Sequence, residues 1–89
     1  MQRFINTRAE QVHQFGFASG VPKYIARTAQ RLMRLLIAAR GWQDIRMVSR
    51  ICRWANRPVS YGLPVHGKWF VTFEWNEDYG AAKIGIERR

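Results

Sequence analysis

An α+β fold, helices first and an antiparallel meander after them, is what this chain predicts, and three features carry that expectation. Apolar residues recur at three- and four-residue steps over residues 23–39, the spacing of one buried helix stripe. The segment VHGKWFVTFEW, residues 65–75, alternates with the period of two that a pleated strand imposes. Turn residues punctuate the remaining C-terminal half into short β segments. At 89 residues there is room for one core, so residues 1–89 are expected to form a single domain. A helical hairpin would cover one face of a small antiparallel sheet and leave the other face open.

Taken in order, residues 3–5 read as a short opening strand. Asn6 or Thr7 can then cap a helix, with Glu10 three residues beyond Thr7 in a capping-box pattern. The run FGFASGVP, residues 15–22, holds two glycines and a proline, so it ends one helix and launches the next, with Pro22 suited to a first helical position. The long helix buries Ile25, Ala29, Leu32, Leu36 and Ala39, and Gly41 is placed as its C′ residue. Arg27, Arg31 and Arg34 stand at i, i+4 and i+7 on another face, either a solvated surface or a contact for RNA or an acidic partner. A short helical turn around Asp44 and Ile45 feeds a strand at residues 51–54.

After Asn56-Arg57-Pro58, Val59, Tyr61, Leu63 and Val65 alternate with Ser60, Gly62 and Pro64, and Pro64 argues for an edge or irregular pairing. His66-Gly67 makes a tight hairpin into the strand that carries Trp69, Val71, Phe73 and Trp75 on its core face. Residues 76–80 form a second, acidic turn, and the last strand returns with Ala82, Ile84 and Ile86 inward.

Composition narrows the partner. The chain is 47% hydrophobic, too apolar for a disordered tail, yet its net charge is +9. Twelve of its fifteen basic residues are Arg, whose planar fork matches phosphate bidentately, so nucleic acid leads as partner class, ahead of an acidic protein. Cys52 is alone and only two histidines are present, which disfavours disulfides, zinc and metal-dependent chemistry, and no cofactor motif occurs. No apolar run approaches a membrane span; a cytoplasmic protein without a membrane role is expected.

By strand parity the open face collects Lys68, Phe70, Thr72, Lys83 and Glu87 with Arg89, while Arg53 and Arg57 begin the meander. His66 could exchange a proton near neutral pH, or be an exposed turn residue.

The segment FGFASGVPKYIARTAQRLMRLLIAARGWQDI followed by SYGLPVHGKWFVTFEW resembles the HigB-type (plasmid maintenance killer) toxins of the RelE/ParE superfamily over nearly the whole chain. The residues that carry the resemblance are Gly20-Val21-Pro22 before the long helix, Ala38-Ala39 at its end, Asp44-Ile45 after it, and the strand Trp69-Phe70-Val71-Thr72-Phe73. Membership would imply a RelE/ParE-like fold and a metal-independent endoribonuclease that cuts mRNA in the ribosomal A site, held inactive by a cognate antitoxin. Cleavage by an adjacent 2′-hydroxyl needs cations, a proton acceptor and a proton donor. Here the chain departs from the family. Phe70 replaces an Arg, the usual preceding Lys falls near Trp54 or Ala55, and the chain ends in Glu87-Arg88-Arg89. Either Arg53, Arg57, Glu87, Arg88 and Arg89 supply the catalytic groups, with Lys68, Phe70, Lys83 and His66 binding RNA, or cleavage is weakened or lost. In the second case the chain is a non-enzymatic binding module, either a toxin relative that has lost cleavage or one that blocks a protein target such as gyrase.

Overall fold

The computed structural model describes residues 4–54, 60–78 and 80–88. It is a mixed helix-and-sheet structure of three helices and a four-stranded antiparallel sheet, α1 (Thr7–Phe15), α2 (Lys23–Ala38), α3 (Trp42–Arg46), β1 (Cys52–Arg53), β2 (Ser60–His66), β3 (Trp69–Asn76) and β4 (Gly80–Arg88). The strands lie in the order β1-β2-β3-β4, each hydrogen-bonded to its neighbour in sequence. No helix among the described residues is long and apolar enough to cross a membrane.

Local chemistry sets the helix ends. The Asn6 carboxamide accepts the Ala9 N–H at 2.9 Å, so Asn6 caps α1 and Thr7 becomes its first residue; the Thr7–Glu10 box does not form. Gly16, left-handed at φ 75, closes α1 through an N–H to the Val12 carbonyl. Pro22 sits one position earlier than expected, as the residue before the first turn of α2. Gly41 is not the C′ glycine of α2. Its φ of −164 is extended backbone, and it opens α3 instead, while Ala39 leaves α2 in an extended conformation. The Asp44 carboxylate accepts the Arg40 N–H at 2.9 Å and holds the two helices in this tight succession.

The core lies between the helices and one face of the sheet. Ile25, Met33 and Leu36 of α2 and Val12 of α1 pack with Ile45 of α3 on Leu63, Val71, Phe73, Ile84 and Ile86. Each fully buried aliphatic side chain contributes about 1.5–3 kcal/mol of transfer free energy. The expected alternation on β3 holds for this face. On β4 it does not. Lys83 adopts φ 49, and the β3–β4 register shifts between Thr72 and Glu74, so Lys83 and Ile84 together oppose Phe73. This bulge reverses parity, and the inward set is Ala81, Ile84 and Ile86, with Ala82 on the far side.

That far side is not an open face. Trp54 lies over Gly62, where a Cβ would meet its ring at 2.9 Å, and Ile5 lies over Gly85, where a Cβ would meet its Cγ2 at 2.7 Å. Only glycine lets either residue lie this close to the sheet. Between these covers Phe70 is 9% exposed, its ring 5.1 Å from that of Trp54, and Thr72 is buried. The opening segment contributes a single parallel bridge, Phe4 to Ile84, with the Ile5 N–H donating to the Ile84 carbonyl at 2.9 Å.

Candidate nucleic-acid interface

With the far side of the sheet covered, the cations expected there are dispersed. Lys68 occupies the two-residue loop of the β2–β3 hairpin rather than the strand face, since His66 pairs with Trp69. Lys83 is held at the bulge by an ion pair to Glu74 at 3.7 Å, the one ion pair among the described residues. Phe70, expected on the open face as an RNA-binding residue, is buried against Trp54. Arg57 and Arg89 lie outside the described residues.

The other predicted site residues fall into separate places. Arg88 pairs with Trp69 at the hairpin end of the sheet, near Lys68 and His66, and the exposed His66 ring meets Tyr24 of α2 edge-on at 5.4 Å. Arg53 pairs with Tyr61, five residues back along β2 from His66 and therefore about 17 Å from that end. Glu87 is opposite Phe70 on the covered face, whereas Arg53 shares the face of Tyr61. The structure thus does not bring Arg53, Glu87 and Arg88 into one constellation.

Arg53 instead belongs to a cleft of about 780 Å³ between α3 and the start of the sheet. Sequence builds this cleft in a few residues. The completely buried Ile45 anchors α3, and its carbonyl accepts the N–H groups of Val48 and Ser49 at 3.1 and 3.0 Å, so the chain turns sharply after one and a half turns of helix. That turn throws Arg46 and Arg50 to the rim, and β1 returns with Arg53 beside them. Trp42 and Tyr61 form the inner wall, their rings 4.7 Å apart in edge-to-face contact. Trp42 is fixed from behind by Trp75 at 5.1 Å and Phe73 at 6.1 Å, so the wall is rigid. Met47 and Val48 stand at the mouth, 85% and 63% exposed.

Among the described residues no carboxylate lines the cleft, and none is an acidic partner to its three guanidinium groups. Such an arrangement can hold two or three phosphates by charge-assisted hydrogen bonds, beside an aromatic and apolar surface that suits a base. Its described lining offers no carboxylate or imidazole for proton transfer. Sequence reasoning missed Arg46, Arg50 and Trp42. The signal was present: Arg46, Arg50 and Arg53 repeat the i, i+4, i+7 spacing of Arg27, Arg31 and Arg34, around an exposed Met-Val pair.

A second basic surface follows α2. Lys23, Arg27, Arg31 and Arg34 flank a groove of about 450 Å³ headed by Phe15 and Phe17. Partial burial, and then the positive charge of Arg34, lower the pKa of His13 from its usual 6.5. Among the described residues no group of three or more His, Cys, Asp or Glu side chains could hold a metal ion. Compared with protein-family models the chain matches none, and no curated protein matches it.

Proposed function

We propose that the protein binds single-stranded RNA through the Arg46/Arg50/Arg53 cleft and acts on translation in the manner of the HigB-type, RelE/ParE-like toxins its sequence resembles. The observation that carries this reading is the cleft itself: three guanidinium groups without carboxylates, set around rigid Trp42 and Tyr61. Charge alone would fit any polyanion. The aromatic wall favours a single strand, whose bases can be splayed out to lie against it, over a duplex.

Within this reading two arms remain, an endoribonuclease and a blocker that binds without cutting. The placement of Glu87 on the face opposite Arg53 favours the blocker, because the acid and the phosphate-binding cleft do not face the same ligand. Endoribonuclease action would draw on the basic hairpin end, His66 and Arg88, or on Arg57 and Arg89. A cognate antitoxin belongs to the proposal in either arm.

The test is inducible expression, with growth, protein synthesis and the 5′ ends of cellular mRNA all followed. Translation arrest with intact mRNA supports the blocker, and new 5′ ends clustered at codon boundaries support the nuclease. Unaffected translation, or no binding of a single-stranded RNA 12-mer by the purified protein, refutes the proposal.

A further inference from the structure

The α2 groove is a different kind of surface from the cleft, and the reading of the cleft does not explain it. Lys23, Arg27, Arg31 and Arg34 follow one another at steps of four, four and three, so they form a nearly straight line of cations about 16 Å long on one side of the helix. The helix carries no Asp or Glu, and no ion pair among the described residues neutralises any of the four. Like charges at these spacings destabilise the helix that bears them. His13 has its pKa lowered first by partial burial and then by the charge of Arg34 at the C-terminal end of the row.

The groove beside this row has a fixed floor and an apolar head. The Gln30 side chain bridges the two helices, donating to the His13 carbonyl at 2.9 Å, with its Oε1 3.1 Å from where a Cβ on Gly16 would lie. Past the left-handed Gly16, Phe15 and Phe17 are each 61% exposed and tilt together with ring centroids 6.0 Å apart. They form one apolar knob at one end of the groove. Among the described residues no other aromatic ring lines it, so a nucleic acid strand would find charge along its length but stacking only at its head.

We infer that this groove docks an acidic amphipathic helix of a partner protein, its carboxylates laid at i and i+4 along Lys23, Arg27, Arg31 and Arg34 and its apolar end seated against Phe15 and Phe17. The repeat of the cation row matches the repeat of such a helix, and the single apolar anchor fixes direction and register. Because the cleft lies at the far end of α2, beyond α3, the partner helix and an RNA strand have separate seats on the protein.

The experiment uses the whole chain and a synthetic 20-residue amphipathic peptide with Glu at i, i+4 spacing and a Leu-rich end. A scrambled peptide of the same composition and a single-stranded RNA 12-mer serve as controls, and binding is followed by fluorescence anisotropy and circular dichroism. The helical peptide is expected to bind with a gain of helicity, and the scrambled one about tenfold more weakly. Arg27→Glu with Arg31→Glu is expected to weaken peptide binding tenfold or more, roughly, and to remove most of its salt dependence. Phe15→Ala with Phe17→Ala, both on exposed residues, is expected to weaken binding about fivefold while leaving the salt dependence intact. Substituting the cleft arginines leaves peptide binding in place, which separates this inference from the RNA reading. Equal binding of the two peptides overturns it, as does a double charge reversal that abolishes RNA binding and spares peptide binding.

Discussion

Two arginine rows in this protein share one spacing and have opposite shapes. Arg27, Arg31 and Arg34 lie on an uninterrupted helix, so they form a convex, linear row. Arg46, Arg50 and Arg53 begin on a helix that stops at residue 46 and end on a strand, so the same intervals wrap around a concavity. The difference is made by what lies between the cations. The first row is interleaved with Ala29, Leu32 and Met33, which keep the helical stripe buried; the second is interleaved with exposed Met47 and Val48 and with Ser49, whose N–H turns back to Ile45. Spacing therefore sets the distance along the chain, and the residues in between decide whether the charges line a ridge or a pocket.

The largest way to break the comparison is Ile45→Ala. Its side chain is fully buried and holds α3 in place, so the cavity should lower stability by about 2–5 kcal/mol in urea denaturation. RNA binding should fall with it under conditions where α2 remains helical. Next is the triple substitution Arg46→Ala, Arg50→Ala and Arg53→Ala against Arg27→Ala, Arg31→Ala and Arg34→Ala. The cleft variant should lose roughly 100-fold in RNA affinity, and its slope of log affinity on log salt should flatten by about 2, whereas the helix variant loses only a few-fold. Equal losses would mean that the two rows are one diffuse field.

A sharper probe is Gly62→Ala. The new Cβ would sit 2.9 Å from the Trp54 ring, next to Arg53 in sequence, so the cover on the far side must lift at a cost of about 1–3 kcal/mol. The displacement should carry Arg53 away from Arg46 and Arg50 and weaken RNA binding more than the stability loss accounts for. The smallest expected effect reports on the convex row. Because His13 has its pKa lowered in the fold, the unfolded chain takes up a proton more readily, and stability should decline as pH falls below 6.5 until folded His13 itself protonates. Arg34→Ala should raise the His13 pKa toward its usual value and shrink that decline, as proton NMR titration and pH-dependent denaturation would record.

Much of the scaffold was legible because it depends on local periodicity. The 3.6-residue stripe of α2, a cap at Asn6 or Thr7, which the structure gives to Asn6, and the alternation of β3 are each written within a dozen residues. The last strand was misread at one point because a positive φ at Lys83 is a non-glycine exception that no local pattern announces, and everything before it changed sides. The open face failed for a different reason. Parity placed Phe70, Thr72 and Lys83 on one side correctly in outline, but what covers that side is Trp54 and Ile5, and contacts between residues so far apart in sequence leave no periodic trace. Gly62 and Gly85 were the available hint, each a missing side chain on a strand with no turn to explain it. The cleft was illegible as a cleft because its concavity arises from three elements meeting, although the cations that line it were countable from the start.

The seal that Ile5 makes over Gly85 joins the first described residues to the last strand. Closing so long a loop costs more chain entropy than the pairing of sequence-adjacent strands in the sheet, and the contact needs β4 in place. Until then Phe70 and Thr72 have a cover on the Trp54 side alone. The turns of the basic helix, by contrast, close within residues 23–38, so the row of cations on α2 does not wait on that long-range seal.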